Sequence, residues 1–339
     1  TKLLFLSTLM MGTILSVSSN SWFSAWIGLE VNLLSFIPLM THPSNAGSTE
    51  ASLKYFLTQA LASAILLFSV IFAALTFSFV HSLLTSNLFL NTLINSSLLL
   101  KMGAAPFHFW FPGVMEGSTW ANSLILMTWQ KIAPLTLLSY NLSLNSFIVF
   151  SIISSIIVGS LGGLNQTSFR KILAYSSINH LGWLISAFLI SEFAWNIYFI
   201  SYVFLTATVV FMLNSFKITH LNQAFTFNSI NPMVKFFLFS SLLSLGGLPP
   251  FLGFFPKWII IQNMAELNML PLISTMVILT LVTLFYYLRV TFSAFMLSYT
   301  STAWYDSPFE MPGHFYTTII LGVISTLGLI LSSLISHFL

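Results

Sequence analysis

Long runs of apolar residues, separated by short polar breaks, dominate the sequence. A helix that crosses a bilayer needs roughly 20 apolar residues in a row. The runs lack the alternation of apolar and polar positions that the strands of a transmembrane β-barrel show. The pattern therefore predicts about eleven transmembrane helices. Their approximate bounds are 3–19, 22–41, 54–80, 88–110, 118–140, 144–164, 170–190, 194–216, 234–264, 268–298 and 316–338.

The composition agrees with a protein whose main solvent is lipid. The chain has 339 residues, of which 57% are hydrophobic and 5% are charged. Soluble domains carry about 25% charged residues, so this chain could not cover a surface that faces water. The longest polar connections, at 217–233 and 299–315, leave no room for a soluble catalytic domain. We therefore predict an all-α polytopic membrane protein.

Several classes of chemistry lack support in the sequence. Cysteine is absent, so neither disulfides nor cysteine-ligated metal or iron–sulfur sites are expected. The patterns H-E-x-x-H, G-x-G-x-x-G and G-K-[ST] are absent as well, which argues against metal-dependent hydrolysis, dinucleotide binding and P-loop chemistry. No run of lysine and arginine points to nucleic acid. The first apolar run is itself a span, so no cleavable signal is expected, and the Thr1-Lys2 start suggests a processed, trimmed or unusually initiated chain.

The basic residues of the loops predict an orientation. With an odd number of spans, the two termini lie on opposite sides of the membrane. The loops on the N-terminal side contain Lys2, Lys54, Arg170, Lys171, Lys217 and Lys235. The loops on the other side contain no lysine or arginine. By the positive-inside rule, the N-terminus faces the cytoplasm-like side and the C-terminus faces the other side.

A short internal repeat indicates two interrupted helices. The sequence GAAPF at 103–107, in the fourth span, is matched by GLPPF at 247–251, in the ninth. Proline removes a backbone donor and clashes with the preceding helical turn, so both helices should break within the membrane. Broken helices at corresponding positions, an odd number of spans apart, are typical of transporters built from inverted repeats.

Four ionisable residues lie well inside apolar spans: Glu30, Lys101, Lys131 and Lys257. Each charge at the centre of a membrane helix costs roughly 2.5–3.5 kcal/mol, so four cost about 10–14 kcal/mol. That sum is comparable with the whole stability of an ordinary protein, about 5–15 kcal/mol. Ion pairs that fix helix register, or lysines that snorkel to the interface, are alternatives, the latter most of all for Lys257. The set of four favours a pathway for protons or cations.

Lysine suits proton transfer because its environment controls whether it holds its proton. Its ordinary pKa is about 10.4, and desolvation can shift the pKa of a buried group by about 3–5 units. A neighbouring carboxylate opposes that shift, so the distance between Glu30 and Lys101 should decide whether this lysine holds or releases its proton. His180 lies mid-span and is either a further relay group or a hydrogen-bonded core histidine.

Five segments together resemble a known family. They are STEASLKYFL at 48–57, KMGAAPFHFW at 101–110, WQKIAP at 129–134, RKILAYSS at 170–177 and GGLPPF at 246–251. They resemble the subunit two family of mitochondrial NADH:ubiquinone oxidoreductase (respiratory complex I), over about residues 20–300. This family belongs to the antiporter-like subunits, whose fuller bacterial members resemble the chain with three extra N-terminal helices.

The resemblance implies an architecture and a location. Residues 1–140 would form a first five-helix unit, and 141–298 a second, inverted one. Residues 299–339 would add a loop and a C-terminal transmembrane helix. The chain would lie in the mitochondrial inner membrane, with its N-terminus in the matrix and its C-terminus in the intermembrane space.

The resemblance also implies roles for the intramembrane charges. Glu30 matches the family's glutamate, which pairs with the lysine of the first broken helix, here Lys101. Lys131 matches the central lysine, and Lys257 matches the lysine of the second broken helix. These residues would relay protons while electrons pass through other subunits.

Partners and cofactors follow from the same resemblance. The chain would contact other membrane-arm and accessory subunits and lipids, and would bind no cofactor of its own. NADH, FMN, iron–sulfur clusters and ubiquinone would belong to partner subunits. Two other functions stay open: a subunit of a cation/proton antiporter, and a structural membrane-arm subunit that moves no protons itself.

Overall fold

The computed structural model describes residues 2–41, 45–79, 88–142, 144–225, 232–296 and 315–338. In these ranges every regular element is an α-helix, and one isolated antiparallel bridge joins Ser168 to His220. The helices are α1 Lys2–Val17, α2 Trp22–Met40, α3 Ala46–Phe79, α4 Leu88–Met102, α5 Trp110–Gly117, α6 Trp120–Met127, α7 Trp129–Tyr140, α8 Ser146–Gly162, α9 Phe169–Phe188, α10 Glu192–Ser215, α11 Leu221–Phe225, α12 Pro232–Gly246, α13 Phe254–Glu266, α14 Leu270–Met296 and α15 Phe315–Phe338. The predicted loop at 299–314 and residues 226–231 of the 217–233 loop lie outside the described residues.

Polar residues at the helix starts supply the hydrogen bonds that a first turn lacks. Ser21 accepts from the backbone of Ser24 at the start of α2, and Ser191 caps α10 in the same way. The side chain of Asn45 accepts from the backbone of Gly47 at 3.1 Å. Because such capping favours helix initiation, α3 begins at Ala46, well before the predicted start at residue 54. That boundary was predicted wrongly.

Non-helical backbone occurs at both proline sites that the sequence singles out. The fourth predicted span is divided into α4 and α5, and the ninth into α12 and α13. The fifth span, predicted as continuous, is also interrupted, at Thr128, where φ is −113° and ψ is −70°. Pro134 provides a physical reason, because it cannot donate to the carbonyl of Gln130 and crowds the turn before it. The prediction of a continuous fifth span was wrong.

The helices bury many polar side chains among the apolar ones of the core and expose large apolar side chains. Asn95, Ser155 and Ser241 are fully buried, whereas Leu57, Phe68 and many similar residues are exposed. By length and composition, four helical segments in the described ranges could cross a membrane: Trp22–Met40, Ala46–Leu75, Glu192–Ser215 and Leu270–Phe295. Shorter apolar segments occur at Lys2–Val17, Ser146–Gly162, Lys235–Gly246 and Ile319–Leu329. Buried polar groups inside an apolar exterior suit a lipid environment, where helices associate by close packing and internal hydrogen bonds.

The chain divides into two compact units, Thr1–Ser151 and Ile152–Leu339. In the first unit, α1 packs against α2 with the backbones in close contact. A Cβ added at Gly28 would lie 2.6 Å from the backbone nitrogen of Ser16, and one added at Gly12 would lie 2.9 Å from that of Asn32. Two glycines thus let the helices meet without side chains between them. This contact fixes α2, the helix that carries Glu30.

In the second unit, α12 packs on α10, α14 and α15, and α13 packs on α9, α10 and α14. The connection between α8 and α9 is held from two directions. Phe169 and Leu221 donate backbone hydrogen bonds across the bridge that joins it to the 217–221 turn. From α14, the guanidinium of Arg289 donates to the carbonyl of Leu164. This corner is therefore tied to the end of α14.

Candidate functional site

Helix α4 ends one residue after Lys101, within the predicted fourth span. Gly103 has a φ of +74°, which glycine adopts without the steric cost of a Cβ, and it closes the helix as a C-terminal cap. The carbonyls exposed at this end find side-chain donors. Trp110 Nε1 donates to Leu100 O at 3.1 Å, and Gln59 Nε2 donates to Lys101 O at 3.1 Å. The freed acceptors of the interruption are thus satisfied from neighbouring helices.

Both intramembrane lysines of the first unit are buried. Lys101 is 7% exposed and Lys131 is 1% exposed. The ammonium of Lys131 lies 5.4 Å from the ring centroid of Phe111, within the range of a cation–π interaction. A lysine that snorkels exposes its ammonium, so snorkelling does not describe either residue within this unit.

Lys101 and Lys131 line the same cavity. Centres of water-sized spheres can occupy about 20 Å³ of it, and one water molecule requires roughly 10–15 Å³ on that scale. The other polar side chains in its wall are Asn32, Tyr55, Gln59 and Gln130. The cavity can therefore place one water molecule between two lysines and a set of neutral polar groups.

The neutral side chains around the cavity bond to one another. Gln130 Nε2 donates to Asn32 Oδ1 at 3.0 Å, and Tyr55 Oη lies 3.5 Å from Gln130 Oε1. Since Gln130 precedes Lys131 and Asn32 follows Glu30 by two residues, the bond between them links the helices that carry both charges. Sequence reasoning missed these amides, although a glutamine or asparagine inside an apolar span is itself a signal.

Glu30 is half-buried on α2. Its carboxylate is close enough to act electrostatically on the Lys101 ammonium. These two described residues do not form an ion pair at 4.0 Å or less. The predicted pairing of Glu30 with Lys101 stays a prediction, and Lys101 contributes to the cavity wall.

Lys257 occupies the interruption of the second unit. Gly247 has a φ of +81° and ends α12. The Lys257 Nζ donates to the carbonyl of Gly246, the last residue of that helix, at 2.9 Å. The side chain is 7% exposed, and its ammonium lies 6.0 Å from the ring centroid of Trp183. Lys257 lies on α13 after the interruption, whereas Lys101 lies on α4 before its own.

His180 is buried on α9, in the second unit. Its Nδ1 lies 2.8 Å from the hydroxyl oxygen of Tyr198, and its ring centroid lies 5.1 Å from that of Tyr202. The ring of Tyr198 is stacked on Trp183, with centroids 6.5 Å apart. The side chain is thus hydrogen-bonded inside the unit. Whether it also relays protons stays a prediction.

The structure groups the predicted residues by unit. Lys101 and Lys131 line one cavity in the first unit, and Glu30 lies on α2, which contributes Asn32 to the cavity wall. In the second unit, Trp183 stacks on Tyr198, the hydrogen-bond partner of His180, and lies near the ammonium of Lys257. No group of three or more histidine, cysteine, aspartate or glutamate residues in the described ranges could hold a metal ion.

Comparison with known proteins assigns the chain to a family. The sequence model of the family described as NADH:quinone oxidoreductase/Mrp antiporter, TM, matches residues 19–283. The NADH-ubiquinone oxidoreductase chain 2 of Anopheles gambiae is 56% identical over 302 residues, which cover 89% of this chain and 88% of that one. The chain belongs to the NADH:quinone oxidoreductase/Mrp antiporter family.

Solved structures extend this result to the fold. A chain of respiratory complex I from Thermus thermophilus with bound aureothin superposes with a TM-score of 0.81 at 27% identity, covering 96% of this chain and 77% of that one. A chain of the Mrp complex from Dietzia sp. has the same TM-score of 0.81 at 18% identity, covering 98% and 75%. The NADH:quinone oxidoreductase/Mrp antiporter family consists of proton-translocating, antiporter-like membrane subunits, and this member is an integral membrane protein.

Proposed function

We propose that this chain translocates protons within the membrane arm of a mitochondrial NADH:ubiquinone oxidoreductase. Family membership and the identity with the chain 2 relative support the assignment to that complex. The observation that carries the proton-transfer role is the shared cavity of Lys101 and Lys131. Two buried cations beside a water-sized space would be a poor choice for packing alone.

The cavity favours the transfer of one proton between its two lysines. Like charges at close range disfavour each other's ionisation, so the state with one ammonium and one neutral amine is favoured. The proton leaves the ammonium nitrogen of one lysine, crosses a water or polar side chain, and binds the amine nitrogen of the other. Glu30 biases this exchange toward Lys101 by its negative charge. A movement of Glu30 relative to Lys101 would send the proton to Lys131.

The second unit would complete the route. Lys257 receives the proton at the interruption between α12 and α13, and His180 serves as a further relay group. We assign residues 1–140 and 141–298 to two inverted five-helix repeats, followed by a loop and the C-terminal helix in 299–339. The matching glycine-capped interruptions after Met102 and Gly246 support that assignment.

Redox chemistry would take place in other subunits of the complex. NADH, FMN, iron–sulfur clusters and ubiquinone would bind there, because this chain has no cysteine for cluster ligation. Membrane-arm and accessory subunits, together with lipids, would cover its apolar exterior. The chain would contribute to the enzyme by coupling quinone reduction to proton movement.

The assignment is tested on the assembled complex. A tag on this chain should co-purify NADH dehydrogenase activity from mitochondrial membranes. Reconstitution in liposomes should then give NADH-driven proton uptake that an uncoupler abolishes. Recovery of the tagged chain without NADH dehydrogenase activity would contradict membership in this enzyme.

A cation/proton antiporter subunit is the second candidate, favoured by the fold it shares with the Mrp chain. It differs from the first proposal in needing no electron transfer. If the purified chain alone exchanged sodium or potassium for protons in liposomes, the antiporter assignment would replace the first. A structural subunit would instead leave proton translocation unchanged when the buried lysines are neutralised.

We also propose eleven spans in the mitochondrial inner membrane, with the N-terminus in the matrix. The charge asymmetry of the loops supports this orientation. Labels in the 217–233 and 299–315 connections should both react from the matrix side, and a C-terminal label from the intermembrane space. Reaction of both connections from the intermembrane space would reverse the orientation.

A further inference from the structure

Four tyrosines form a continuous group inside the second unit. Tyr198 and Tyr202 lie on α10, and Tyr286 and Tyr287 lie on α14; each is at most 2% exposed. The chain has 35 phenylalanines and only 10 tyrosines, so most of its phenyl rings carry no hydroxyl. Burying a hydroxyl without a full set of partners costs about 1–3 kcal/mol. Four hydroxyls in one place therefore indicate a function for the oxygens.

The hydroxyls follow one face of α9, from its middle toward its beginning. At the inner end, Tyr198 bonds His180 at 2.8 Å. Tyr202 bonds Ser177, one turn nearer the start of the helix, and is close enough to Tyr198 and Tyr287 to interact with both. Each step along the face is thus a contact between polar groups.

The outer end of the group reaches the connection between α8 and α9. The hydroxyl of Tyr287 interacts with Ser176 and with Tyr286, whose ring centroid is 4.6 Å from its own. The Tyr286 ring packs on the backbone of Gly163, where an added Cβ would lie 2.8 Å from it. Two residues further on, Asn165 is exposed. The group therefore extends from His180 to an exposed corner.

Two of these hydroxyls have unfilled hydrogen-bonding capacity. Within the part of the chain that the structure describes, Tyr286 Oη and Tyr287 Oη are buried and lie near each other and near Ser176, but neither makes a well-aligned hydrogen bond. Buried polar groups are almost always satisfied by protein or by ordered water. These two oxygens can therefore bind water molecules as further partners along the path.

We propose that Tyr286, Tyr287, Tyr202 and Tyr198 form a proton path from the α8–α9 corner to His180. This inference rests on the proposed proton-translocating function and adds the point of entry in the second unit. The corner carries Arg170 and Lys171, so it lies on the side that the charge asymmetry assigns to the matrix.

Each hydroxyl passes a proton without a net change of charge. The oxygen accepts a proton from the group on the corner side and releases its own hydrogen to the next oxygen. At the inner end, Tyr198 donates to Nδ1 of a His180 ring that carries its hydrogen on Nε2, which gives an imidazolium. The ring then releases the Nε2 proton toward the neutral amine of Lys257, the acceptor in the proposed function, which leaves the ring hydrogen on Nδ1. The hydroxyls rotate back and the ring returns to its Nε2–H tautomer before the next transfer.

The test uses tyrosine-to-phenylalanine variants in the assembled complex. Tyr287→Phe and Tyr202→Phe each remove one oxygen and keep the ring, so packing is retained. NADH-driven proton uptake in liposomes is divided by NADH oxidation with an artificial acceptor, which reports the amount of assembled enzyme. Both variants should lose as much normalised uptake as Lys131→Met, the variant that tests the proposed function. Tyr140→Phe, an exposed tyrosine, serves as the matched control and should be unchanged.

The outcomes separate this inference from the proposed function. If Lys131→Met stops translocation while both phenylalanine variants behave as Tyr140→Phe does, the tyrosine path is wrong and the proposed function stands. If Lys131→Met itself translocates normally, the proposed function fails first. Should Tyr287→Phe fail to assemble, Ser176→Ala tests the same contact, and should Tyr202→Phe fail, Ser177→Ala does. Normal uptake in that serine variant together with the other phenylalanine variant would overturn the path.

Discussion

Replacing Lys131 by methionine should abolish the contribution of this subunit to proton translocation while the complex still assembles. Methionine has a similar length, fills the space beside Phe111 and avoids the cost of burying a charge. The variant removes Lys131, the lysine that α7 contributes to the wall of the shared cavity. Quinone reduction should fall with proton uptake, because a blocked relay stalls the coupled cycle.

Two further variants show whether Lys131 transfers a proton or only supplies charge. Lys131→Arg keeps the charge but cannot release its proton at physiological pH, so it should be as inactive as Lys131→Met. Lys54→Met, at an exposed lysine of α3 that pairs with Glu50, should behave as wild type. Normal proton uptake in Lys131→Arg would mean that the charge is structural.

Replacing Glu30 by glutamine should slow proton translocation about tenfold, the low end of the effect that a nearby opposite charge has on the proton affinity of its neighbour. Lys101 would hold its proton less often, and the exchange with Lys131 would lose its direction. Glutamine keeps the size of the side chain, so loss of packing is small. The measurement is again NADH-driven proton uptake, divided by NADH oxidation with an artificial acceptor.

A matched control exists on the same unit. Glu50→Gln removes an exposed carboxylate, which pairs with Lys54 at 2.6 Å, and should leave proton uptake unchanged. Breaking a buried charge pair can cost about 3–5 kcal/mol, so the amount of assembled complex must be measured for each variant. Wild-type uptake per assembled complex in Glu30→Gln would remove Glu30 from the relay.

The helical class and the positions of the three buried lysines of the proposed relay were predictable from the sequence. Hydropathy identifies apolar helices because every span must satisfy its own backbone, and a lysine inside such a span is costly enough to stand out. The interruptions at 103–109 and 247–253 were predictable for a similar reason, since proline and glycine act through local backbone geometry. The interruption at Thr128 was not predicted, although Pro134 lies within two turns of it.

Side-chain partnerships across helices could not be obtained in the same way. Nothing in the sequence places Gln130 against Asn32, or aims Lys257 at the carbonyl of Gly246, because helix rotation and packing decide both. The tyrosines of α10 and α14 are separated by more than 80 positions along the chain, so their common interior became visible only when the helices were assembled.

The hydrogen bond between Lys257 and Gly246 couples the protonation of the lysine to the geometry of the helix interruption. A protonated lysine at the end of α12 gains from the partial negative charge of the last carbonyls, and a neutral amine loses most of that gain. The gap between α12 and α13 is therefore held more tightly when the proton is present. Linkage is reciprocal: any force from elsewhere that opens the gap must loosen the proton by the same free energy, and about 1.4 kcal/mol corresponds to a tenfold change in binding. A small displacement of one half-helix at such an interruption would therefore cause release of the proton.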